Sequence, residues 1–383
     1  MNSKWSFFNP VRILYGSNSR NILVNEITNQ KCLVISSERG RKRFCDDHAL
    51  SLIAKNNEIY WLDNIHSNPD IVDIQKIIDN LKGKTFHSII AFGGGSVMDS
   101  AKAINLAICK ELNDISLHKM IADPKIHKNV RPAPLYTVPT TAGTGGEVTP
   151  FATIWDHDNF KKLSLSGPSV YANTAIVDPD LTHNLPETDT LFTGLDAINQ
   201  AIESIWNKNA TTFSIEIATR SLRLGFEALP SLMSGDECSA NREAMSECSL
   251  LAGLAISQTR TALCHSISYP LTAHFNVPHG LACAFTMPII LKLNLLVDDG
   301  RFLSLAKCLI GEDATTNDLT GLFDNLHKNN EVCNKVRDKV VNKNLLLNLI
   351  PEMITQGRAD NSLLNTNENT IRSIIEDSWD NNN

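Results

Sequence analysis

The stretch GLDAINQAIESIW, residues 194–206, places polar side chains at helical spacing. Asp196 and Gln200 are four residues apart, so on a helix they share one face about 6 Å from each other, with Glu203 one turn further on. Two oxygen donors at this spacing could hold a small cation, although glutamine is a weak ligand where histidine is more usual. The spacing alone therefore leaves two interpretations open, a metal site and a hydrogen-bonded polar cleft without an ion.

Three histidines occur in the later stretch ALCHSISYPLTAHFNVPHG, residues 262–280. His265 and His279 would lie about 21 Å apart along a straight helix, so they can share an ion only if the chain turns back between them. Pro278 permits such a turn, because the residue before a proline disfavours the helix. We expect His274 to lie off the His265 face, at the surface or at a helix end. Taken singly, each histidine is more often structural than a ligand.

Two loops of small residues follow predicted strands in the first half of the chain. AFGGGSVMDSAKAI passes from a strand through three glycines into a helix that begins near Ser96. Glycines let the backbone approach a ligand closely, and free N–H groups at a helix start bind anions such as pyrophosphate. The motif is not GxGxxG, so a tight turn without a ligand is the alternative. The predicted phosphate-facing residues are Gly93, Gly94, Gly95 and Ser96, with Thr140, Thr141 and Thr144 of VPTTAGTGGEVT lining the same crevice.

The elements that must position these residues change character near residue 182. Before it, apolar runs alternate with helical segments, which is typical of a mostly parallel sheet covered by helices on both faces. After it, amphipathic segments follow one another up to a helix predicted over 332–350, and we expect the asparagine-rich tail to be frayed or at the surface. We predict an α/β domain over 1–182 and an all-helical domain over 183–383. The predicted strands are 31–36, 58–63, 88–92, 134–138 and 174–178.

Bulk composition narrows the class of ligand. A net charge of -7 and 42% hydrophobic residues describe an ordinary folded protein without the positive surface that nucleic acid or an anionic membrane requires. The nine cysteines are scattered singly, which argues against a disulfide framework and against a zinc ribbon. No apolar run reaches about 18 residues. We expect a cytoplasmic protein that binds a small molecule.

Several motifs together resemble the iron-containing (group III) alcohol dehydrogenases. They are GGGSVMDSAK, PTTAGTGGEVT, AIVDPDLTHNLP, TGLDAINQAIES and HSISYPLTAHFNVPHG, in this order along nearly the whole chain. The resemblance implies a dehydroquinate synthase-like fold: a Rossmann-like dinucleotide-binding domain, a helical domain for metal and substrate, and a divalent metal in the cleft between them. The implied metal is Fe²⁺, with Zn²⁺ or Mn²⁺ as alternatives. Relatives also suggest a homodimer or a larger homo-oligomer.

The resemblance implies metal ligands at Asp196, His265, His279 and position 200, where this chain carries Gln200 instead of the histidine of DAxxHAxE. The glutamine carbonyl is a neutral oxygen donor, so the formal charge of the ligands stays at -1 while one strong nitrogen bond is lost. We expect metal binding to persist, but to be weaker.

Two further departures concern the substrate. Tyr269 stands where the family usually has another histidine near the reacting carbon, and a tyrosine can still donate a hydrogen bond or pass a proton. Arg260 stands where a small residue is common, and its planar fork suits phosphonate or carboxylate oxygens. A salt bridge to Glu203 or a surface position is the alternative for Arg260. Together with Gln200, Tyr269 and Arg260 resemble the branch that reduces phosphonoacetaldehyde to 2-hydroxyethylphosphonate. The predicted catalytic residues are Tyr269, Arg260 and His265.

The choice of coenzyme can be argued from the end of the second strand. NAD-preferring relatives place an acid there, whereas this chain has Ser37, followed by Glu38, Arg39, Arg41 and Arg43. A 2′-phosphate would suit this charge, so NADP is favoured over NAD, although a run of arginines is more often a solvated helix face. Two other positions match residues near the coenzyme in the family, Asp99 and Lys162.

The interpretation is an NAD(P)-dependent, metal-dependent reductase in which the metal acts as a Lewis acid, Arg260 anchors a small anionic aldehyde and Tyr269 is a candidate proton donor. Three alternatives remain. The substrate could be another small alcohol or semialdehyde, such as 4-hydroxybutyrate. A lyase of the dehydroquinate synthase type shares the architecture but needs more cationic residues for its substrate. A cofactor-binding protein without catalysis is the third.

Overall fold

The computed structural model describes residues 4–381, which fall into two compact units. The α/β unit runs from Asn9 to Leu185, and the helical unit contains the chain from Pro186 onwards together with the residues before Asn9. The sequence pattern predicts an α/β domain over residues 1–182, which would include the residues before Asn9. In the structure, Trp5 and Phe7 contact Phe213 of the helical unit, with ring centroids 5.7 and 4.6 Å away.

A six-stranded parallel sheet forms the α/β unit, in the order β1-β8-β5-β4-β2-β3. A separate antiparallel hairpin pairs β6 with β7. The five predicted strands are confirmed, each to within a residue at either end, whereas β1 and the hairpin were not predicted. The strands are β1 (Arg12–Tyr15), β2 (Lys31–Ile35), β3 (Glu58–Leu62), β4 (Ser88–Gly93), β5 (Leu135–Pro139), β6 (Phe151–Asp156), β7 (Lys161–Ser166) and β8 (Thr174–Val177).

Helices cover both faces of this sheet, because alternate strand residues point to opposite sides. Leu33 and Ile35 of β2 join a buried cluster with α4, α5 and α6, whereas Cys32 and Val34 join another with α1, α2 and α3. The predicted doubly covered parallel sheet is confirmed. The helices are α1 (Ile22–Glu26), α2 (Glu38–Asp46), α3 (His48–Asn56), α4 (Ile71–Leu81), α5 (Gly95–Ala107) and α6 (Leu117–Ala122).

The strand order reverses between β2 and β4. From β2 the chain moves outward to β3, then crosses to β4 on the other side of β2 and continues to β5 and β8. In open α/β sheets, ligands bind beyond the strand C-termini at such a reversal. The predicted coenzyme residues lie there, since Ser37 follows β2 and the glycine run ends β4.

The second unit is helical from Glu187 onwards, as predicted. The helices are α7 (Glu187–Ile205), α8 (Thr212–Met233), α9 (Ser239–Thr259), α10 (Leu263–Phe275), α11 (His279–Leu295), α12 (Arg301–Leu309), α13 (Thr316–Asn329), α14 (Val332–Arg337), α15 (Lys343–Asn348) and α16 (Glu368–Asp380). Within residues 4–381, none of the helices has both the length and the apolar character that crossing a membrane demands.

One expectation about the C-terminal part was wrong, and a second was met only in part, since Asn365, Asn367 and Asn369 are exposed but lie in or next to a helix. The segment 332–350 forms α14 and α15 rather than one helix, with Asn342 starting the second by accepting a hydrogen bond from the Asn344 N–H. The asparagine-rich tail is not frayed over 368–380, because α16 buries a stripe of isoleucines and the Asn367 side chain caps its first turn. The stripe comprises Ile371, Ile374 and Ile375.

Candidate functional site

Four side chains that can bind a metal converge inside the helical unit. They are Asp196 of α7, His265 of α10, and His279 and Cys283 of α11, and their donor atoms all lie within 4.8 Å of one another. His279 is partly buried and the other three are buried. The structure thus brings together the three predicted ligands Asp196, His265 and His279, and it adds a cysteine that the sequence analysis had set aside.

The turn between α10 and α11 makes this convergence possible. Asn276 adopts a left-handed conformation (φ 53°) at the end of α10, and the Val277 N–H donates to the Leu271 carbonyl. After Pro278 the chain enters α11 at once, so that the rings of His265 and His279 come to 5.3 Å between centroids. The predicted reversal is confirmed. His274 lies in the last turn of α10 and contacts Glu352, which fits a helix-end role.

Gly280 lets α11 begin directly against α7. A Cβ atom at this position would lie 1.8 Å from the Phe192 carbonyl oxygen and 3.1 Å from Cβ of Asp196. Any side chain would therefore push the start of α11, and with it His279, away from Asp196. The glycine is required here for the close approach of two backbones.

Glu203 fixes the orientation of His265. Its carboxylate is fully buried, receives a hydrogen bond of 2.6 Å from His265 Nδ1, and accepts further bonds from the backbone N–H groups of Ala262, Cys264 and His265. With Nδ1 held in this way, Nε2 faces Asp196 Oδ1 at 3.4 Å. A carboxylate that holds the far nitrogen of a histidine is typical of metal sites. The Glu203 carboxylate thus holds both the start of α10 and the His265 ring.

The groups around His265 stabilise a positive charge in the cluster. Burial alone would lower the pKa of His265, but the charges of Cys283 and Glu203 and the hydrogen bond to Asp196 raise that pKa well above its usual value. Gln200 lies one turn after Asp196, is buried, and within the described part of the chain its Oε1 has no hydrogen-bond donor. Leaving such an acceptor unsatisfied costs about 1–3 kcal/mol. The donor set and this orphaned oxygen both fit a bound divalent cation.

Tyr269 lies beside the cluster. It follows His265 by one helical turn on α10, is half-buried, and its ring stacks near His279 with centroids 6.4 Å apart and planes at 25°. Its ring therefore lies beside the candidate metal ligand His279.

Arg260 has an unusual backbone conformation. It ends α9 with φ 63° and ψ 173°, a region that is almost reserved for glycine. Its carbonyl accepts hydrogen bonds from Asn207 Nδ2 at 3.1 Å and Thr259 Oγ1 at 2.9 Å, which hold this conformation. The residue is exposed, while partial desolvation of its guanidinium and the positive charge of Arg358 lower its pKa. Arg260 and Arg358 are therefore two positive charges close enough to influence each other.

In the α/β unit, the two predicted loops pack together. The Thr140 N–H donates to the Gly93 carbonyl at 3.0 Å, and α5 starts at Gly95 without a side-chain cap. A Cβ on Gly94 would lie 3.2 Å from Thr141 Oγ1, and one on Gly95 would lie 2.7 Å from a methyl carbon of Thr144. These glycines allow the loops to approach each other, and the Ser96 hydroxyl accepts a bond from the Asn68 N–H.

The arginine run after β2 is largely committed to contacts within the unit. Ser37 caps α2 by accepting from the Gly40 N–H. Arg41 pairs with Asp63 at 2.7 Å and lies over the Trp61 ring, and Arg43 donates to the Leu181 carbonyl. Arg39 is exposed. Of the three predicted arginines, Arg41 and Arg43 thus contact other parts of the unit, and Arg39 is exposed.

Asp99 and Lys162 are neighbours of a lysine that the sequence analysis missed. Burial raises the pKa of Asp99 to about 6, against the attraction of Lys102 and Lys162. Lys102 Nζ donates to the carbonyls of Gly146, Thr149 and Phe151 at 2.5–2.8 Å, and burial lowers its pKa to about 8. Lys102 thus fastens the threonine loop to α5. Its partners are backbone carbonyls more than 40 residues away, so no local signal could reveal them.

Two family models match the chain. The model described as "Iron-containing alcohol dehydrogenase" covers residues 10–179, and "Fe-containing alcohol dehydrogenase family, C-terminal" covers residues 190–379. Among solved structures, that of sulfoacetaldehyde reductase from Bifidobacterium kashiwanohense in complex with NAD+ has a similar fold, with a TM-score of 0.84, 23% identity, and coverage of 100% of both chains.

Two curated relatives are similar in sequence. The probable alcohol dehydrogenase EutG of Escherichia coli (strain K12) is 34% identical over 241 residues, which is 63% of this chain and 60% of that protein. Phosphonoacetaldehyde reductase of Streptomyces viridochromogenes is 35% identical over 240 residues, 62% of this chain and 60% of that protein. The chain therefore matches about three fifths of the length of these relatives.

Proposed function

The chain belongs to the iron-containing alcohol dehydrogenase family, and from this premise we propose that it is an NAD(P)-dependent, metal-dependent reductase of small anionic aldehydes, with phosphonoacetaldehyde as the first candidate. The observation that carries the proposal is the convergence of Asp196, His265 and His279 within 4.8 Å. The 35% identity to phosphonoacetaldehyde reductase and the position of Arg260 support the choice of substrate.

Asp196, His265 and His279 would hold the metal, with the carbonyl oxygen of Gln200 as a further weak donor. Iron(II) is the family's metal, and zinc or manganese suits the same donor types. When bound, the metal supplies Lewis-acid polarisation of a carbonyl, and the nicotinamide supplies the hydride. Glu203 keeps the His265 ring turned toward Asp196 and so maintains the geometry of the ligands.

Arg260 would bind the anionic end of the aldehyde. Its guanidinium offers two parallel N–H donors, which match the oxygens of a phosphonate or carboxylate. Arg358 adds a second positive charge near Arg260, and both charges would attract the anionic end of the substrate. A strained conformation is kept where the surrounding structure imposes it and is often linked to function. The backbone of Arg260 therefore supports a binding role.

Tyr269 would hold the proton that the product alcohol receives. Its phenol can donate a hydrogen bond, and its ring stacks near the candidate ligand His279. In the α/β unit, the Gly93–Ser96 turn and Thr140, Thr141 and Thr144 would cradle the pyrophosphate of the coenzyme. Asp99 and Lys162 would lie near it, as their positions in the family suggest.

NADP is the proposed coenzyme, with Arg39 as the phosphate-binding residue beside Ser37. Ser37 stands where NAD-preferring relatives place an acid, and Arg39 is exposed in the first turn of α2 beside Glu38. Arg39→Ala should raise KM for NADPH and leave KM for NADH unchanged. Arg41→Ala is the matched control, since that arginine pairs with Asp63. A wild-type preference for NADH would overturn this assignment.

The central experiment measures NADPH and NADH oxidation with phosphonoacetaldehyde, succinic semialdehyde and propionaldehyde, in the presence of iron(II), zinc or manganese. We expect activity that depends on metal and a higher kcat/KM for the anionic aldehydes. Asp196→Ala should abolish activity and reduce the metal content measured by mass spectrometry. Oxidation of coenzyme with none of the aldehydes, under any of the metals, would refute the proposed function.

A further inference from the structure

Cys283 lies inside the metal cluster. It follows His279 by one turn of α11, is fully buried, and its Sγ is 3.8 Å from both ring nitrogens of His279. Its Sγ is also within 4.8 Å of the donor atoms of Asp196 and His265. A thiol in this position can reach a cation bound by the other three side chains.

The spacing of the donor atoms fits four bonds around one ion. With bonds of about 2.1 Å to nitrogen or oxygen and about 2.3 Å to sulfur, a tetrahedron has edges of about 3.4 Å between N and O and about 3.6 Å between N and S. The observed distances are 3.4 Å between His265 Nε2 and Asp196 Oδ1 and 3.8 Å between Cys283 Sγ and His279. Octahedral neighbours would be closer, at about 3.0 Å. Two of the six donor pairs therefore have about the separation of tetrahedral neighbours, and the other pairs lie within 4.8 Å.

We propose that Cys283 supplies the fourth strong metal bond, as a thiolate, in a set with Asp196, His265 and His279. The inference rests on the metal centre of the proposed function, and it changes the ligand set. A thiolate is a much stronger donor than the neutral carbonyl of Gln200, which remains a weak donor at the edge of the site. The cysteine thus restores the strong bond that glutamine at position 200 does not provide.

This ligand set alters the metal preference and the charge of the site. Sulfur donors favour zinc and cobalt(II) over iron(II) or manganese(II), which prefer oxygen and nitrogen. Asp196 and Cys283 together carry a charge of -2, so a divalent cation gives a neutral centre rather than one of +1. A neutral centre attracts an anionic substrate less, so the proposed anchor Arg260 becomes more important for binding it.

Cys248 provides a matched control. It is also fully buried in the helical unit, but its Sγ lies 3.5 Å from Ser221 Oγ on α8 and is not one of the four clustered donors. Cys248→Ser and Cys283→Ser make the same chemical change at two buried positions. The control therefore separates the effect of a lost ligand from the effect of placing a hydroxyl in the helical unit.

Spectroscopy of the full chain tests the proposal directly. Loaded with one equivalent of cobalt(II), the wild-type protein should show a near-ultraviolet sulfur-to-cobalt charge-transfer band, and X-ray absorption of the zinc form should show one sulfur at about 2.3 Å. Cys283→Ser should lose both signals, and Cys248→Ser should keep them. If Cys283→Ser does not fold, as judged by circular dichroism, the wild-type spectra still decide. Only nitrogen and oxygen neighbours around the metal would overturn the proposal.

Metal affinities give a second readout. Because even an outer-shell partner is worth about 10- to 100-fold in affinity, loss of a ligand should weaken zinc binding more than about 100-fold. We expect this loss for Cys283→Ser and a change below about 10-fold for Gln200→Ala, both measured by competition with a chelator. The reverse order would assign the fourth bond to Gln200. Metal-dependent aldehyde reduction without a sulfur signal would refute the cysteine ligand alone, whereas a wild-type protein that binds no metal would refute the metal centre as well.

Discussion

Replacing Arg260 with glycine should give a more stable protein than replacing it with alanine. Both replacements should give a poorer enzyme for anionic aldehydes. The two effects have separate origins in one residue, the backbone conformation at φ 63° and ψ 173° and the guanidinium at the end of the side chain. Arg260→Ala removes the same side chain but keeps a Cβ. The pair of variants therefore isolates the backbone effect from the loss of charge and contacts.

The stability difference follows from the backbone region. A residue other than glycine in this conformation is strained by about 1–3 kcal/mol, and alanine retains the strain. Glycine relieves it but loses about 0.5–1 kcal/mol more conformational entropy on folding. We expect Arg260→Gly to be about 1 kcal/mol more stable than Arg260→Ala, which corresponds to about 2–4 °C in Tm for a unit of this size.

The catalytic difference follows from the side chain. A hydrogen bond to a charged group contributes about 1.5–3 kcal/mol, so both variants should lose about 10- to 150-fold in kcat/KM for phosphonoacetaldehyde. Neutral propionaldehyde has no group for the guanidinium to bind. Its kcat/KM should change less than about threefold.

Urea unfolding and steady-state kinetics of the three proteins measure these quantities. Equal stability of the glycine and alanine variants would show that the conformation is not strained. Equal losses with phosphonoacetaldehyde and propionaldehyde would show that Arg260 does not contact the anion. The backbone strain and the anion contact of Arg260 are thus tested independently of each other.

Three further predictions concern the close approach at Gly280, the orientation of His265 by Glu203, and the buried carboxyl group of Asp99. Gly280→Ala should bind well under one metal equivalent, measured by mass spectrometry, because its Cβ would lie 1.8 Å from the Phe192 carbonyl oxygen. Gly321→Ala is the control and should bind metal normally, since there is open space around Gly321. Normal metal binding by both variants would contradict the close approach of α11 to α7. Glu203→Gln should weaken metal binding about 10- to 100-fold in chelator competition, since the charge that orients His265 is lost, and an unchanged affinity would remove Glu203 from the positioning of the ligands. Burial raises the pKa of Asp99 from 3.8 to about 6, so the folded state holds this proton more tightly than the unfolded chain. The resulting stability is fully present below pH about 4 and is lost as the pH rises through 6. Asp99→Asn should remove this decline from urea unfolding measured between pH 4 and 7, and an identical decline in both proteins would contradict the assignment.

Much of the fold was accessible from the sequence because it depends on local patterns. After their first residues, the runs KCLVI and SIIAFG are wholly apolar, as is typical of strands buried on both faces, and both were predicted. The turn between α10 and α11 was also predicted, since Pro278 interrupts a helical pattern. The approach of His265 and His279 followed from that turn.

What escaped prediction depends on contacts between distant parts of the chain or on a helix boundary. Cys283 is four residues after His279, but the sequence placed the helix at 281–296, so the two were not assigned to one helix face. The structure starts α11 at His279 itself. The role of Lys102 depends on carbonyls of a loop that follows another strand. No pattern within α5 contains that information.

The contacts of residues 5–8 bear on how the chain folds during synthesis. The Phe8 carbonyl accepts a hydrogen bond from Gln258, 250 positions later, and Trp5 stacks on Phe213. At about 5–20 residues per second, a ribosome needs about 12–50 s to reach Gln258 after making Phe8. During that interval the whole of the α/β unit emerges while Trp5, Phe7 and Phe8 still lack their partners. These aromatic residues therefore gain their contacts only once the helical unit has been made.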